Sequence, residues 1–259
     1  MPSLPDEVAE KGPVQPQSGG PADNELARRR RAPVDITLLR HGEPDWAPGG
    51  GASVADPGLT DYGAAQARAV AAAVAPGRVD AIYVSPLRRA QETAAPLVEA
   101  TGVAATTIEA LAEIDAGASG MTQEEIDRYF VEAMRRPLEE HWEGWPAGES
   151  FRDFHQRVTA GAAGLLGRHG IRAETMHDFT CWQVPPGPLS IVVVAHGGTN
   201  SVLLTHLLDV RPVPWEWIRF ESELASYSVV HARPIGEGGH VWSLQNFNEV
   251  DPLRAAGLR

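Results

Sequence analysis

The chain has 259 residues, 43% of them hydrophobic, and a formal net charge of −12. That length suits one α/β domain with a substantial core or two small ones, and the acidic balance argues against a general nucleic-acid binder. No stretch reaches the length of a membrane span, the N-terminus lacks the apolar run of a secretory signal, and the single cysteine, Cys181, rules out an internal disulfide framework. These features predict a cytoplasmic protein with no membrane partner.

Residues 1–33 are rich in Pro, Gly, Ser and Glu and poor in large apolar side chains, which predicts a disordered leader. Arg28-Arg29-Arg30-Arg31 closes it and reads as a solvated charge run. Val34-Asp35-Ile36-Thr37-Leu38-Leu39 is an apolar, β-branched stretch, read as a buried strand, that stops on Arg40-His41-Gly42-Glu43. A loop dense in Gly, Pro and Ala follows over 44–57. Thr60-Asp61 then opens a helix that Pro76-Gly77 ends.

Val79 to Val84 is a second buried strand, leading through Ser85-Pro86 into a helix from about Leu87 to Thr101. A third strand is expected over 103–108, then helices over 121–136 and 151–166 separated by a loop carrying Trp142, Trp145 and Pro146. Residues 172–188 read as an irregular insertion, a lid or surface loop. Leu189 to Ala195 is the most apolar strand, ends at His196-Gly197-Gly198, and precedes a helix over 199–208. Two stretches flanking Gly236-Glu237-Gly238-Gly239 predict an antiparallel hairpin at the sheet edge. The alternation predicts an α/β, three-layer sandwich with a mainly parallel central sheet flanked by helices, over one domain at 34–259.

Two strands thus end in His-Gly, at His41 and His196, and a third ends in Ser85-Pro86-Leu87-Arg88. In a parallel sheet these ends share one edge, where open α/β folds place their ligands. Two imidazoles, Arg40 and Arg88, with helix N-termini nearby, make a cationic crevice suited to a tetrahedral dianion such as phosphate. His41 and His196 also fit buried core histidines or paired metal ligands, and Arg40 and Arg88 fit structural ion pairs.

Arg40-His41-Gly42-Glu43, the run from Ser85 to Ala94, Leu111-Ala112-Glu113-Ile114-Asp115-Ala116-Gly117, Gly148-Glu149-Ser150 and Ala195-His196-Gly197 together resemble the histidine phosphatase superfamily, in that family's order. The resemblance covers about residues 34–250. It implies a phosphoglycerate mutase-like fold and a metal-independent phosphomonoester hydrolase, without cofactor, acting on a small phosphorylated substrate. His41 would be the nucleophile that forms a phosphohistidine. Arg40, Arg88 and His196 would hold the phosphoryl oxygens, with Gly42 and Gly197 lining the same site, and Glu113 would be the general acid and base.

Glu149 would cap the helix that begins near Phe151 or orient Arg40 and the pocket, and Arg89 would point away into solvent or a salt bridge. The family often has Asn six residues beyond its nucleophilic histidine; here that position is Ala47, so donor capacity is expected from Ser53 or a loop amide. The acid motif looks closer to phosphatase branches than to mutases. A phosphoglycerate-type mutase, a protein phosphatase and a catalytically weak anion-binding module are the alternative readings. Trp142, Trp145 and Trp182 would border the pocket or anchor loops, and His177 with Cys181 is too little for zinc. Oligomeric state is not legible, a homodimer being compatible with the apolar stretch near Trp215, Trp217 and Phe220.

Overall fold

The computed structural model describes residues 34–50 and 53–259, so the expected leader and its arginine run lie outside the described residues. β1 (Val34–Arg40) runs through the middle of the sheet, and its period of two explains the layering. Ile36 and Leu38 face one core with Val193, Ala195, Phe154 and Leu165, while Leu39 faces a second core with Val192, Val194, Val70 and Leu97. Each such side chain contributes about 1.5–3 kcal/mol when fully buried. A strand buried on both faces has to be covered by helices on both faces.

On the Leu39 face lie α1 (Asp61–Val74) and α2 (Arg88–Thr101). Thr60 caps α1 by accepting from the Gly63 N–H at 2.9 Å, as its position predicts, and α2 ends on Gly102 at φ 69°. After β2 (Ala81–Val84) and β3 (Ala105–Thr107) comes α3 (Gln123–Met134), started by a capping box between Thr122 and Glu125. α4 (Phe151–Gly167), capped by Ser150, covers the other face.

The sheet has eight strands in the order β3-β2-β6-β1-β7-β8-β5-β4, completed by β4 (Arg172–Met176), β5 (Phe179–Gln183), β6 (Leu189–Ala195), β7 (Tyr227–Ile235) and β8 (Gly239–Glu249). β3, β2, β6 and β1 are parallel; β7 joins β1 antiparallel and starts the antiparallel half. The predicted α/β sandwich is therefore present. Among the described residues no helix is long and apolar enough to cross a membrane.

Residues 172–188 differ from expectation. They form the β4–β5 hairpin, turning at His177 (φ 57°), and β5 bonds to β8 through Trp182 and His240. This hairpin takes the outermost place, so the β7–β8 hairpin stands one step further inside the sheet. The reason is burial of Cys181 and Trp182 against the core, a gain masked in the sequence by a β4 exposed along its whole length. Trp182 is a core residue rather than a loop residue, and Cys181 is a buried free thiol.

One contact fixes the strand end that carries His41. A Cβ on Gly42 would stand 2.6 Å from the Gly63 carbonyl oxygen, and one on Gly63 would overlap the Glu43 backbone. Only two glycines allow the chain after β1 and the first turn of α1 to touch backbone to backbone.

Candidate active site

Parallel register brings the two His-Gly ends together. Arg40 pairs with Ala195, and the His41 N–H donates to the Ala195 carbonyl at 2.9 Å, so His41 and His196 leave the sheet side by side. Their ring centroids are 5.0 Å apart at 60°, and the residues are 5% and 0% exposed. His41 Nδ1 lies 2.7 Å from the Gly42 carbonyl oxygen. A carbonyl only accepts, so Nδ1 holds the proton and Nε2 keeps its lone pair.

Burial, opposed by that carbonyl contact and aided by the fields of Arg89 and Arg40, pushes the His41 pKa down to about 3. The ring is neutral at pH 7, the state a nucleophile needs. His196 is also held well below its ordinary value, first by burial and then by His41, Arg89 and Arg40. Its Nε2 shares a 2.7 Å bond with the fully buried Ser85 hydroxyl, while Nδ1 is buried without a hydrogen-bond partner among the described residues.

Two guanidiniums complete a cradle. Arg40 donates through Nη1 to the Ser222 carbonyl and packs on Gly197, whose added Cβ would lie 3.4 Å from Cζ; its Nε has no acceptor. Arg89 is 3% exposed, has its Nε and Nη1 without hydrogen-bond acceptors, faces Asp56 at 3.8 Å and is stacked by Trp46 at 4.9 Å. Burial lowers the pKa of both arginines, opposed by Glu113. Among the described residues three buried guanidinium N–H groups, on Arg40 and Arg89, and the His196 Nδ1 have no hydrogen-bond partner near the His41 ring, an arrangement that suits an oxygen-rich anion.

This corrects the arginine assignment. Arg88 has a side chain 66% exposed and donates to Glu92 at 2.6 Å on the surface, whereas Arg89 turns inward. Adjacent helical residues point about 100° apart, so only one of the pair can face the crevice. Thr93 ties the inward turn to the His41-Gly42 loop: its hydroxyl accepts from the Gly42 N–H at 3.0 Å and donates to the Arg89 carbonyl at 2.7 Å.

Glu113 meets the cradle at the start of α5 (Gly197–Leu207). Its carboxylate accepts from the Gly198 N–H at 2.8 Å and from those of Thr199 and Ile114 at 3.1 Å. Glu149 is not where either expectation put it. Ser150 caps α4, and both Glu149 oxygens bond Arg157 at 2.6 and 2.8 Å.

Ser53 donates to the Ala118 carbonyl at 3.3 Å, fastening its loop to residues 118–121. Trp145 is 2% exposed inside an aromatic cluster with Phe151 and Trp215 and so anchors its loop. Trp217, on the short helix α6 (Glu216–Arg219), borders the Glu113 carboxylate: a Cβ on Gly198 would meet its ring at 3.1 Å. Arg89, Ser85, Thr93 and Trp46 are the site residues that the sequence reading gave no role. Among the described residues no group of three or more His, Cys, Asp or Glu is placed to hold a metal ion.

The fold and the paired strand-end imidazoles define a histidine phosphatase. The model of the histidine phosphatase superfamily, branch 1, matches residues 36–246, and the chain belongs to that family and is a phosphatase. Phosphoserine phosphatase 1 of Hydrogenobacter thermophilus is 32% identical over 201 residues, covering 76% of this chain and 86% of the relative. The mycobacterial glucosyl-3-phosphoglycerate phosphatase in complex with VO3 is 28% identical with a TM-score of 0.64, covering 83% of this chain and 98% of that one. The α-ribazole phosphatase of Shigella flexneri, at 23% identity and a TM-score of 0.62 over 83% and 96% of the chains, shares the fold.

Proposed function

We propose that the protein hydrolyses a small phosphorylated metabolite through a phosphohistidine at His41. The observation that carries this reading is a neutral, buried His41, its Nε2 without a hydrogen-bond partner among the described residues, beside unpartnered buried nitrogens of Arg40, Arg89 and His196. Nε2 attacks phosphorus, the bond to the leaving oxygen breaks, and Glu113 supplies the proton that makes it an alcohol. Arg40, Arg89 and His196 hold the three other oxygens and offset the charge that develops on them. Water then attacks the phosphohistidine, Glu113 takes its proton, and the nitrogen–phosphorus bond breaks to release phosphate.

Two relatives named for phosphoserine and for glucosyl-3-phosphoglycerate support a small phosphate ester as substrate. The single, buried cysteine is compatible with the reducing cytoplasm. Phosphate release from a panel of such esters tests the reading. His41→Ala should lower it by about 10³-fold or more, in line with removal of a covalent nucleophile. Equal release by both forms, or isomerised product exceeding free phosphate, would overturn it.

A further inference from the structure

Glu149 and Arg157 lie outside the cradle and take no part in the steps above, yet their contacts converge on one segment. The pair is part-buried and forked. Arg157 turns its remaining N–H groups to the carbonyls of Ala110 at 3.0 Å and Ala112 at 3.1 Å, just before Glu113. Just after Glu113, the Glu149 backbone N–H donates to the Asp115 carbonyl at 2.7 Å. The two segments meet without room for side chains. A Cβ on Gly117 would stand 2.6 Å from the Ala147 carbonyl oxygen, and one on Gly148 would overlap the Asp115 carbonyl.

Glu113 sits in irregular chain after the short 3₁₀ turn Glu109–Leu111, where no sheet register aims it. A general acid has to reach the leaving oxygen within roughly 2.6–3.2 Å. A planar guanidinium can serve a carboxylate with one edge and two carbonyls with another; an ammonium has no such fork.

We propose that Glu149 and Arg157 are positioning residues for the general acid, a clamp that grips the chain on both sides of Glu113 and fixes where its proton is delivered. The proposal rests on Glu113 being that acid. It replaces the helix-capping and Arg40-orienting roles expected of Glu149, whose two oxygens are both taken by Arg157.

The leaving group supplies the test. The ratio kcat/KM reports steps through departure of the leaving group. An alkoxide needs the proton, whereas p-nitrophenolate leaves without it. Phosphoserine and p-nitrophenyl phosphate should be assayed with the wild type, Arg157→Lys, Glu149→Gln, Glu113→Gln and Arg157→Lys/Glu113→Gln, with a melting curve for each.

Arg157→Lys and Glu149→Gln should lose about 10- to 100-fold in kcat/KM on the alkyl ester, the scale of an ångström of misplacement, and under about threefold on the aryl ester. In the Glu113→Gln background Arg157→Lys should not change the alkyl-to-aryl ratio further. Glu149→Gln, nearly isosteric, keeps the test open if Arg157→Lys folds poorly. Equal losses on both esters, or none, would reduce the pair to a structural brace and overturn the proposal. A raised KM with kcat kept would place the pair in substrate binding and also overturn it. If Glu113→Gln itself spared the ratio, the acid assignment would fall and the clamp with it, a result distinct from failure of the clamp alone.

Discussion

The cradle and the acid loop are built on opposite rules. His41 and His196 follow the ends of β1 and β6 and Arg89 stands in the first turn of α2, where strand register and helix phase set their direction, and buried nitrogens of Arg89 and His196 are left unmatched among the described residues. Glu113 sits in a loop, and both of its oxygens meet backbone N–H groups while its neighbours are bonded by Arg157 and Glu149. Regular elements aim a side chain through their own hydrogen-bond ladder; irregular chain has to be held by side chains. A buried donor without an acceptor costs about 1–3 kcal/mol, so the unmatched guanidinium nitrogens of the cradle cost stability and the matched Glu113 loop does not.

The largest effect that tests this contrast is at Arg89. Arg89→Ala should lower kcat/KM by about 10²–10³-fold, the usual loss for a donor to a developing oxyanion, while the melting temperature holds or rises. A melting temperature that fell with activity would show that the cradle is structural as well. Arg88→Ala is the internal control, and its activity should stay within about twofold, because an exposed pair of this kind is worth about 0–1 kcal/mol.

A smaller effect concerns pH. The unfolded chain protonates histidine near 6.5, whereas folded His41 does so at about 3 and folded His196 well below its ordinary value. Their contribution to folded stability is therefore complete above about pH 6.5 and is lost as pH falls towards 3. Melting curves at pH 7.5 and 5 should show a smaller acid loss for His41→Ala than for the wild type. Inorganic phosphate should reduce the acid loss of the wild type, since an anion beside the imidazole favours its charged form. Identical acid losses in the two proteins would contradict a neutral His41.

What the sequence made legible follows the same division. The strand-end histidines could be read because apolar strands announce both their burial and their ends, and parallel pairing does the rest. Arg89 was readable in principle: it shares a helical stripe with Ala90, Thr93, Ala94 and Leu97, all buried, and Arg88 does not. Choosing Arg88 for its nearness to the strand end, instead of weighing helical phase, inverts the pair. The Glu149–Arg157 pair was not legible, because eight residues and a helix start separate the partners and their carbonyl acceptors lie over 40 residues away. The β4–β5 hairpin was hidden for another reason. An all-exposed edge strand has no apolar alternation, and the charges of Arg172 and Glu174 that blur its pattern also keep such an edge from pairing with another chain.

Glu113 also serves as the lid on the first turn of α5, because no side chain of the preceding residue caps that helix. On the proposal that Glu113 is the general acid, its protonated form offers one charged acceptor fewer and holds the amides of Gly198 and Thr199 less firmly. Amide exchange at those two positions should run faster in Glu113→Gln than in the wild type, and an unchanged rate would separate the two roles.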